Sequence, residues 1–247
     1  MSKIAEYFTE LYEEFHWVMF ENNRFDFIIG GLKNTFLITF GSLLIGILLG
    51  VIVAIVRSTY DKNQNHLKKN GGLSYYLLSL LNGICKLYLT VIRGTPVVVQ
   101  LMIFYFIIFA ATDNGVAVAT LAFGINSGAY VAEIFRSGIM AVDNGQFEAG
   151  RSLGLNYFQT MIYIVIPQMF KVVLPTLCNE FIVLLKETSV AGYVGVIDLT
   201  KAGNTIAGRT FFYFIPLISV AVIYLVVVVI LTKLVSLIER RLSNSDH

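Results

Sequence analysis

Few ionisable side chains in this chain fall within apolar runs, and those few can be named: Lys86, Arg93, Glu133, Lys171 and Glu180, the last beside the amide of Asn179. A charge in the middle of a membrane helix costs about 2.5–3.5 kcal/mol on insertion scales, so each of these residues needs a compensating role. Two roles are open. The groups can line a polar route through the membrane, or Arg93 and Glu180 can neutralise each other, or pair with Lys86, Glu133 or Lys171, as structural ion pairs. Other chemistries lack their residues. His16, His66 and His247 lie outside the apolar spans and cluster with nothing, so no metal centre or catalytic site is expected. Cys85 and Cys178 both sit in apolar runs and read as small buried hydrophobes. No Gly-x-x-x-x-Gly-Lys-Ser/Thr stretch occurs, so the chain does not bind ATP through a phosphate loop of its own, and no cofactor is expected.

The elements that must position these residues are membrane helices. Of the 247 residues, 56% are hydrophobic and only 14% charged, and the mean hydropathy is +0.73. That composition belongs to an integral membrane protein. A net charge of +2 gives no reason to expect nucleic acid as a partner. Apolar runs predict crossings at Phe36–Val56, Tyr75–Ala111, Val116–Phe135, Met161–Leu185 and Phe211–Leu231. The fold class is therefore all-α and polytopic, with about five transmembrane helices. Tyr75–Ala111 exceeds one simple crossing and contains Pro96, where a break is expected. The fourth crossing is interrupted by Pro167 and Pro175, and polar residues at such breaks survive only against protein or a water-filled path. Gly46 with Gly50, and Gly124 with Gly128, have the spacing that lets two helices approach closely.

Arg57, Lys62, Lys68 and Lys69 make the loop after the first crossing positive, which argues for the cytoplasmic side and an outside amino terminus. Lys233, Arg240 and Arg241 then hold the carboxyl terminus inside. Residues 1–27, rich in glutamate and aromatics, read as an amphipathic arm, residues 28–242 as the membrane domain, and 243–247 as a tail.

One stretch is out of keeping with the oil around it: Gln146-Phe147-Glu148-Ala149-Gly150-Arg151-Ser152-Leu153-Gly154-Leu155-Asn156, followed by Ile164-Val165-Ile166-Pro167. A polar, helix-compatible insert is not needed for folding in lipid, so it is expected to face something in water. Ala149, Gly150 and Gly154 allow close approach, while Phe147, Leu153 and Leu155 offer apolar grip. The pattern resembles the Glu-Ala-Ala, three residues, Gly, nine residues, Ile, one residue, Leu-Pro signature of ATP-binding cassette (ABC) importer membrane subunits. Glu148, Ala149, Gly154, Ile164 and Pro167 match at that spacing, with Gly150 replacing the second Ala and Ile166 replacing Leu. Arg93-Gly94-Thr95-Pro96, Ser127 to Gly138, and Lys186-Glu187-Thr188-Ser189-Val190-Ala191 resemble the polar amino acid permeases within those importers, the histidine, glutamine, glutamate and arginine type.

The resemblance implies a type I ABC importer permease in a bacterial plasma membrane. Its coupling helix would lie near residues 143–157, with Phe147, Glu148, Ala149, Gly150, Leu153 and Gly154 meeting a cytoplasmic ATPase dimer. It also implies an external amino-acid-binding protein, a second permease subunit and a polar amino acid as substrate. Arg93, Glu133, Asn179 and Glu180 are the candidates for the substrate path, Arg93 for the carboxylate and Glu180 with Asn179 for the ammonium or a polar side chain. A secondary transporter would usually show an internal repeat and more crossings, and a channel gives no reason for the insert.

Overall fold

The computed structural model describes the backbone of residues 2–70 and 72–243, with the side chains of 6–61 and 72–242. The side chains of Lys62, His66, Lys68 and Lys69, and all of the expected tail beyond the backbone of Ser243, lie outside this description. Helices make up every regular element among the described residues: α1 (Ser2–Phe20), α2 (Phe25–Asn70), α3 (Leu73–Gly94), α4 (Val97–Ile103), α5 (Gly115–Ala141), α6 (Asn144–Ser152), α7 (Tyr157–Thr160), α8 (Ile166–Glu187), α9 (Leu199–Thr210) and α10 (Phe214–Ser243). Five stretches are long and apolar enough to cross a membrane: Phe25–Asp61, Leu73–Gly94, Gly115–Ala141, Tyr157–Val194 and Phe214–Leu242.

The keel of the molecule is the crossing of α2 with α5, and it is made by glycines. A Cβ on Gly50 would lie 2.6 Å from Val131 Cγ1 and 2.8 Å from the Ala132 amide nitrogen, and one on Gly124 would lie 2.7 Å from Ile45 Cβ. Gly46 meets Ser127, and Gly128 meets Leu49 and Tyr88. The two small-residue pairs noticed in the sequence thus face each other across one seam, which brings the backbones close enough for dispersion to act along its length. Phe123, Val131 and Ala132 of α5 are fully or almost fully buried, whereas the membrane windows of α3 and α10 are mostly exposed.

The first crossing is longer than its apolar run suggests. Lys33, Asn34 and Thr35 mask its start in the sequence, yet the helix begins at Phe25, and Asn34 and Thr35 have partners at the start of α9. Asn34 Nδ2 donates to the Ile197 carbonyl at 2.9 Å, Thr35 Oγ1 accepts from the Leu199 amide at 3.1 Å, and Gly31 abuts Asp198 and Ala202. The amino-terminal α1 packs on the same end, with Val18 and Met19 buried among Ile28, Ile206, Ile215 and Val220. Arg24 ties α1 to α2, donating to the Trp17 and Glu21 carbonyls at 2.7 and 2.8 Å.

Pro96 breaks the second crossing as expected: Thr95 and Pro96 are extended and α3 ends at Gly94. The carbonyls freed there are recovered by Gln100, one helical turn beyond the proline. Its Nε2 lies 2.8 Å from the Ile92 carbonyl, 2.8 Å from Thr95 Oγ1 and 3.1 Å from the Thr95 carbonyl, and its Oε1 accepts from Asn126 at 2.9 Å. The fourth crossing departs from expectation. Pro175 lies inside an unbroken α8, and Pro167 stands in the first turn of α8, where its missing N–H costs little, just after a π-helical turn at Met161–Val165.

Candidate functional site

Two features stand out, one at the end of the bundle where α5 passes into α6 and one within it. At the first, Asp143 caps α6 by accepting from the Gly145 amide at 2.6 Å. The helix closes with Gly154 at φ +78°, its amide donating to the Arg151 carbonyl at 2.9 Å and the Leu155 amide donating to the Gly150 carbonyl at 3.0 Å. This is the paired hydrogen bonding of a left-handed glycine cap. A Cβ on Gly154 would meet nothing within 4 Å, so glycine is required there by the turn's handedness rather than by crowding.

Gly150 differs from the sequence expectation of a residue open to a partner. It is buried, and a Cβ on it would lie 2.7 Å from Thr160 Oγ1 and 2.8 Å from Thr160 Cγ2, so its smallness seats α6 on α7. Phe147 is also turned partly inward, packing against the cluster of Val142, Val165 and Met169. The exposed face is formed by Glu148, Ala149, Arg151 and Leu153, the last 77% exposed, with Phe158 beside them.

The second feature is a cleft of about 610 Å³ between α2, α3 and α5, lined by Arg57, Lys86, Thr90, Arg93 and Glu133. Arg93 sits on the last turn of α3 with its guanidinium 5.5 Å from the Tyr130 ring centre. Glu133 is gripped by Arg136, whose Nη2 lies 2.6 Å from Oε1 and Nε 3.2 Å from Oε2, while Nη1 of the same arginine is 3.8 Å from Asp61. Glu180 lies on α8 and accepts from Ser127 Oγ at 2.8 Å. Ser127 and Tyr130 are three residues apart on α5, a rise of about 4.5 Å, so the attachments of Glu180 and Arg93 fall on successive turns. Asn179 is exposed next to Glu180. The structure therefore joins Arg93 with Glu133 in one cleft and sets Glu180 one turn of α5 away.

Arg57, Ser127 and Gln100 were not singled out as site residues from the sequence. Arg57 looked like a topology charge at a helix end. Gln100 had a usable signal, because an amide four residues after a helix-breaking proline can reach the carbonyls that the proline frees.

A helical bundle with five stretches able to cross the membrane, a capped polar helix at one end and charged groups among its helices defines a polytopic membrane protein. Residues 71–244 match the family described as "Binding-protein-dependent transport system inner membrane component". The chain is 36% identical to the arginine transport system permease protein ArtQ of Bacillus subtilis, covering 89% of this chain and 94% of that one. It is 34% identical to the probable amino-acid ABC transporter permease protein YckA of the same organism, covering 89% and 91%. A crystal structure of an amino acid ABC transporter with histidines superposes with a TM-score of 0.75 at 39% identity, covering 87% of this chain and 94% of that one.

The chain belongs to the binding-protein-dependent transport system inner membrane component family and is a multi-pass permease subunit with the type I ABC importer fold. Its work is ATP-driven transport in which separate ATPase subunits hydrolyse the nucleotide and a substrate-binding protein delivers the cargo. That membership sets aside the secondary transporter and the channel.

Proposed function

We propose that the subunit carries polar amino acids and that the stretch of α5 from Ser127 to Glu133 is its half of the path. The observation that carries this reading is the arrangement along α5: Glu180 at Ser127, Arg93 at Tyr130, and Glu133 one turn further. A free amino acid must exchange the hydration of its ammonium and carboxylate for fixed partners, and an acid and a guanidinium on successive turns offer one of each. Asn179 adds an exposed amide beside Glu180. The relatives named for amino acids, one of them for arginine, support the substrate class.

The same reading assigns the partners. Tyr130, Ser137 and Met140 of α5 are exposed in the single subunit, a surface suited to a second permease, identical or homologous, that would close the other half of the path. The ATPase dimer docks on Glu148, Ala149 and Leu153 in the cytoplasm, with Gly150, Gly154 and Phe147 holding that face in shape. The amino terminus then lies outside and the carboxyl terminus inside, with the Ala111–Gly115 turn facing the binding protein.

Two measurements test this. A single cysteine at Asn144 should label only from the cytoplasmic side, and one at Asp113 only from outside; labelling of Asn144 from outside in intact cells refutes the orientation. Glu180→Gln should assemble normally yet lower amino acid uptake or alter its selectivity, and wild-type uptake kinetics in the assembled variant would remove Glu180 from the path.

A further inference from the structure

Helix α1 has two chemically different sides, and the folded subunit covers little of either. At 3.6 residues per turn, Phe8, Leu11, Tyr12, Phe15, Val18 and Met19 fall on one face, while Glu6, Glu10, Glu13 and Glu14 fall on the other. Among the described side chains of α1 only Val18 and Met19 are buried, and Phe8 and Tyr12 are 62% and 66% exposed. The uncovered apolar face opens onto α10. Phe8, Leu11, Tyr12 and Phe15 form one wall of a groove of about 470 Å³, and Phe214, Ile215, Ile218 and Ser219 form the other. Helix α1 lies outside residues 71–244, the part of the chain matched by the family.

Three observations say what covers this groove. Its far wall belongs to a membrane crossing whose apolar window is mostly exposed, so Phe214 and Ile218 are already part of a surface that faces lipid. The four carboxylates down one side keep α1 out of the hydrocarbon, and the bare rings on the other side are unfavourable in water, so only the boundary between the two suits both faces. Exposed aromatic rings also gather at this end, Tyr7 and Trp17 on α1 and Phe211 and Tyr213 just before α10, as rings do at the level of lipid headgroups. Trp17 meets Phe212 edge to face at 5.7 Å and so joins the two groups. The end of the bundle is fixed by the seam: Gly41 faces Thr120 and Gly50 faces Val131, so α2 and α5 run in the same direction. Helix α1, at the start of α2, is therefore at the opposite end from α6, which follows α5.

We propose that α1 is a membrane-surface anchor, its apolar face and the facing wall of α10 covered by phospholipid acyl chains of the leaflet opposite α6, with its glutamate row turned to the headgroups and water. The occupant of the groove is a lipid chain. The glutamates also set which lipid is favoured, because a row of negative charge is repelled by a surface of anionic headgroups and not by a zwitterionic one. Val18 and Met19 in the core, and the hydrogen bonds from Arg24 to the Trp17 and Glu21 carbonyls, tie the anchor to α2.

The test uses the full chain with Cys85→Ala and Cys178→Ala, spin-labelled at one introduced cysteine, then assembled with its ATPase in lipid nanodiscs; assembly reports that each variant is folded. Collisions of the label with oxygen, which concentrates in hydrocarbon, are compared with those of a water-soluble nickel complex. Phe8→Cys and Phe15→Cys should favour oxygen, as should Ile218→Cys on the facing wall, whereas Glu10→Cys and Glu13→Cys should favour nickel. Nickel access at Phe8 and Phe15 equal to that at Glu13 puts α1 in water and overturns the proposal. Labels at Phe8 and Phe15 shielded from both reagents show that protein, such as a second copy of this chain, fills the groove, and overturn it equally. Replacing zwitterionic lipid by an anionic one should raise nickel access at Phe8→Cys, and adding Glu6→Gln, Glu10→Gln and Glu13→Gln should abolish that rise. Nickel access that does not change with lipid charge refutes the preference assigned to the glutamates.

Discussion

Restoring alanine at residue 150 should weaken this permease, even though alanine is the residue the family signature carries there. In Gly150→Ala the new Cβ would stand 2.7 Å from Thr160 Oγ1 and 2.8 Å from Thr160 Cγ2. Carbon contacts settle at about 3.5–4.0 Å, so the carbon pair is short by roughly an ångström. Thr160 cannot swing aside freely: it is β-branched, and its Oγ1 donates to the Asn156 carbonyl at 3.0 Å. Ile164 Cδ1 at 3.3 Å closes a further side. Overpacking of this kind costs about 1–3 kcal/mol, and the exposed end of α6 is the part least anchored, so α6 should lift from α7. The assay is ATP hydrolysis and substrate uptake measured together in proteoliposomes, giving substrate moved per ATP. Gly150→Ala should lower that ratio, and adding Thr160→Ala, which removes both clashing atoms, should recover it despite losing the bond to Asn156. Normal coupling in the single variant, or no rescue in the double, would refute the argument that Gly150 seats α6.

Three other outcomes follow from the packing and the electrostatics. Gly50→Leu should destabilise the fold by about 1–3 kcal/mol or more through collision with Val131 and Ala132, whereas Gly30→Leu, where a Cβ meets nothing within 4 Å, should be near neutral; thermal unfolding in detergent compares them, and equal effects would contradict the seam. Gln100→Leu should strand the Ile92 and Thr95 carbonyls and the Asn126 amide, at about 1–3 kcal/mol for each buried group left unpaired, and hydrogen exchange around Thr95–Val98 should accelerate. Asp198 is fully buried and caps α9 through the Thr200 and Lys201 amides, and burial raises its carboxyl above the ordinary 3.8 despite those bonds. An acid raised by folding favours the folded state when protonated and loses that contribution as pH climbs from 3.8 through the raised value. Asp198→Asn should therefore gain in melting temperature relative to the native protein across that window, and a constant difference would count against it.

Much of this was legible in the sequence because lipid imposes simple rules. Unbroken apolar length gave the crossings, Pro96 gave the break, and the paired glycines gave the close seam, although only the folded structure shows that Gly46 and Gly50 meet the Ser127 to Ala132 stretch of α5. The polar insert could be read as a surface helix. What could not be read was direction. Gly150 and Ala149 are neighbours of similar size, yet one is turned onto Thr160 and the other outward, because helical periodicity assigns faces only once the helix has been placed against its support. The length of α2 was hidden because polar Asn34 and Thr35 looked like a boundary when they were tertiary partners of Ile197 and Leu199. The charges at membrane depth were visible one by one, but their pairing depends on which helices are adjacent, and Arg136 taking Glu133 from Arg93 has no signature in spacing between helices.

The glycine seam between α2 and α5 also sets which interface is stiffest. Glycine has no rotamers, so this interface has few alternative arrangements to fall into when the bundle is strained, and a small separation forfeits contacts along its whole length. A machine built this way keeps one stiff member and moves the rest against it. The helices with least surface buried within the subunit are α3 and α10. If α6 is the coupling helix proposed above, force arriving there would be passed on as rotation of the outer helices around a fixed mast.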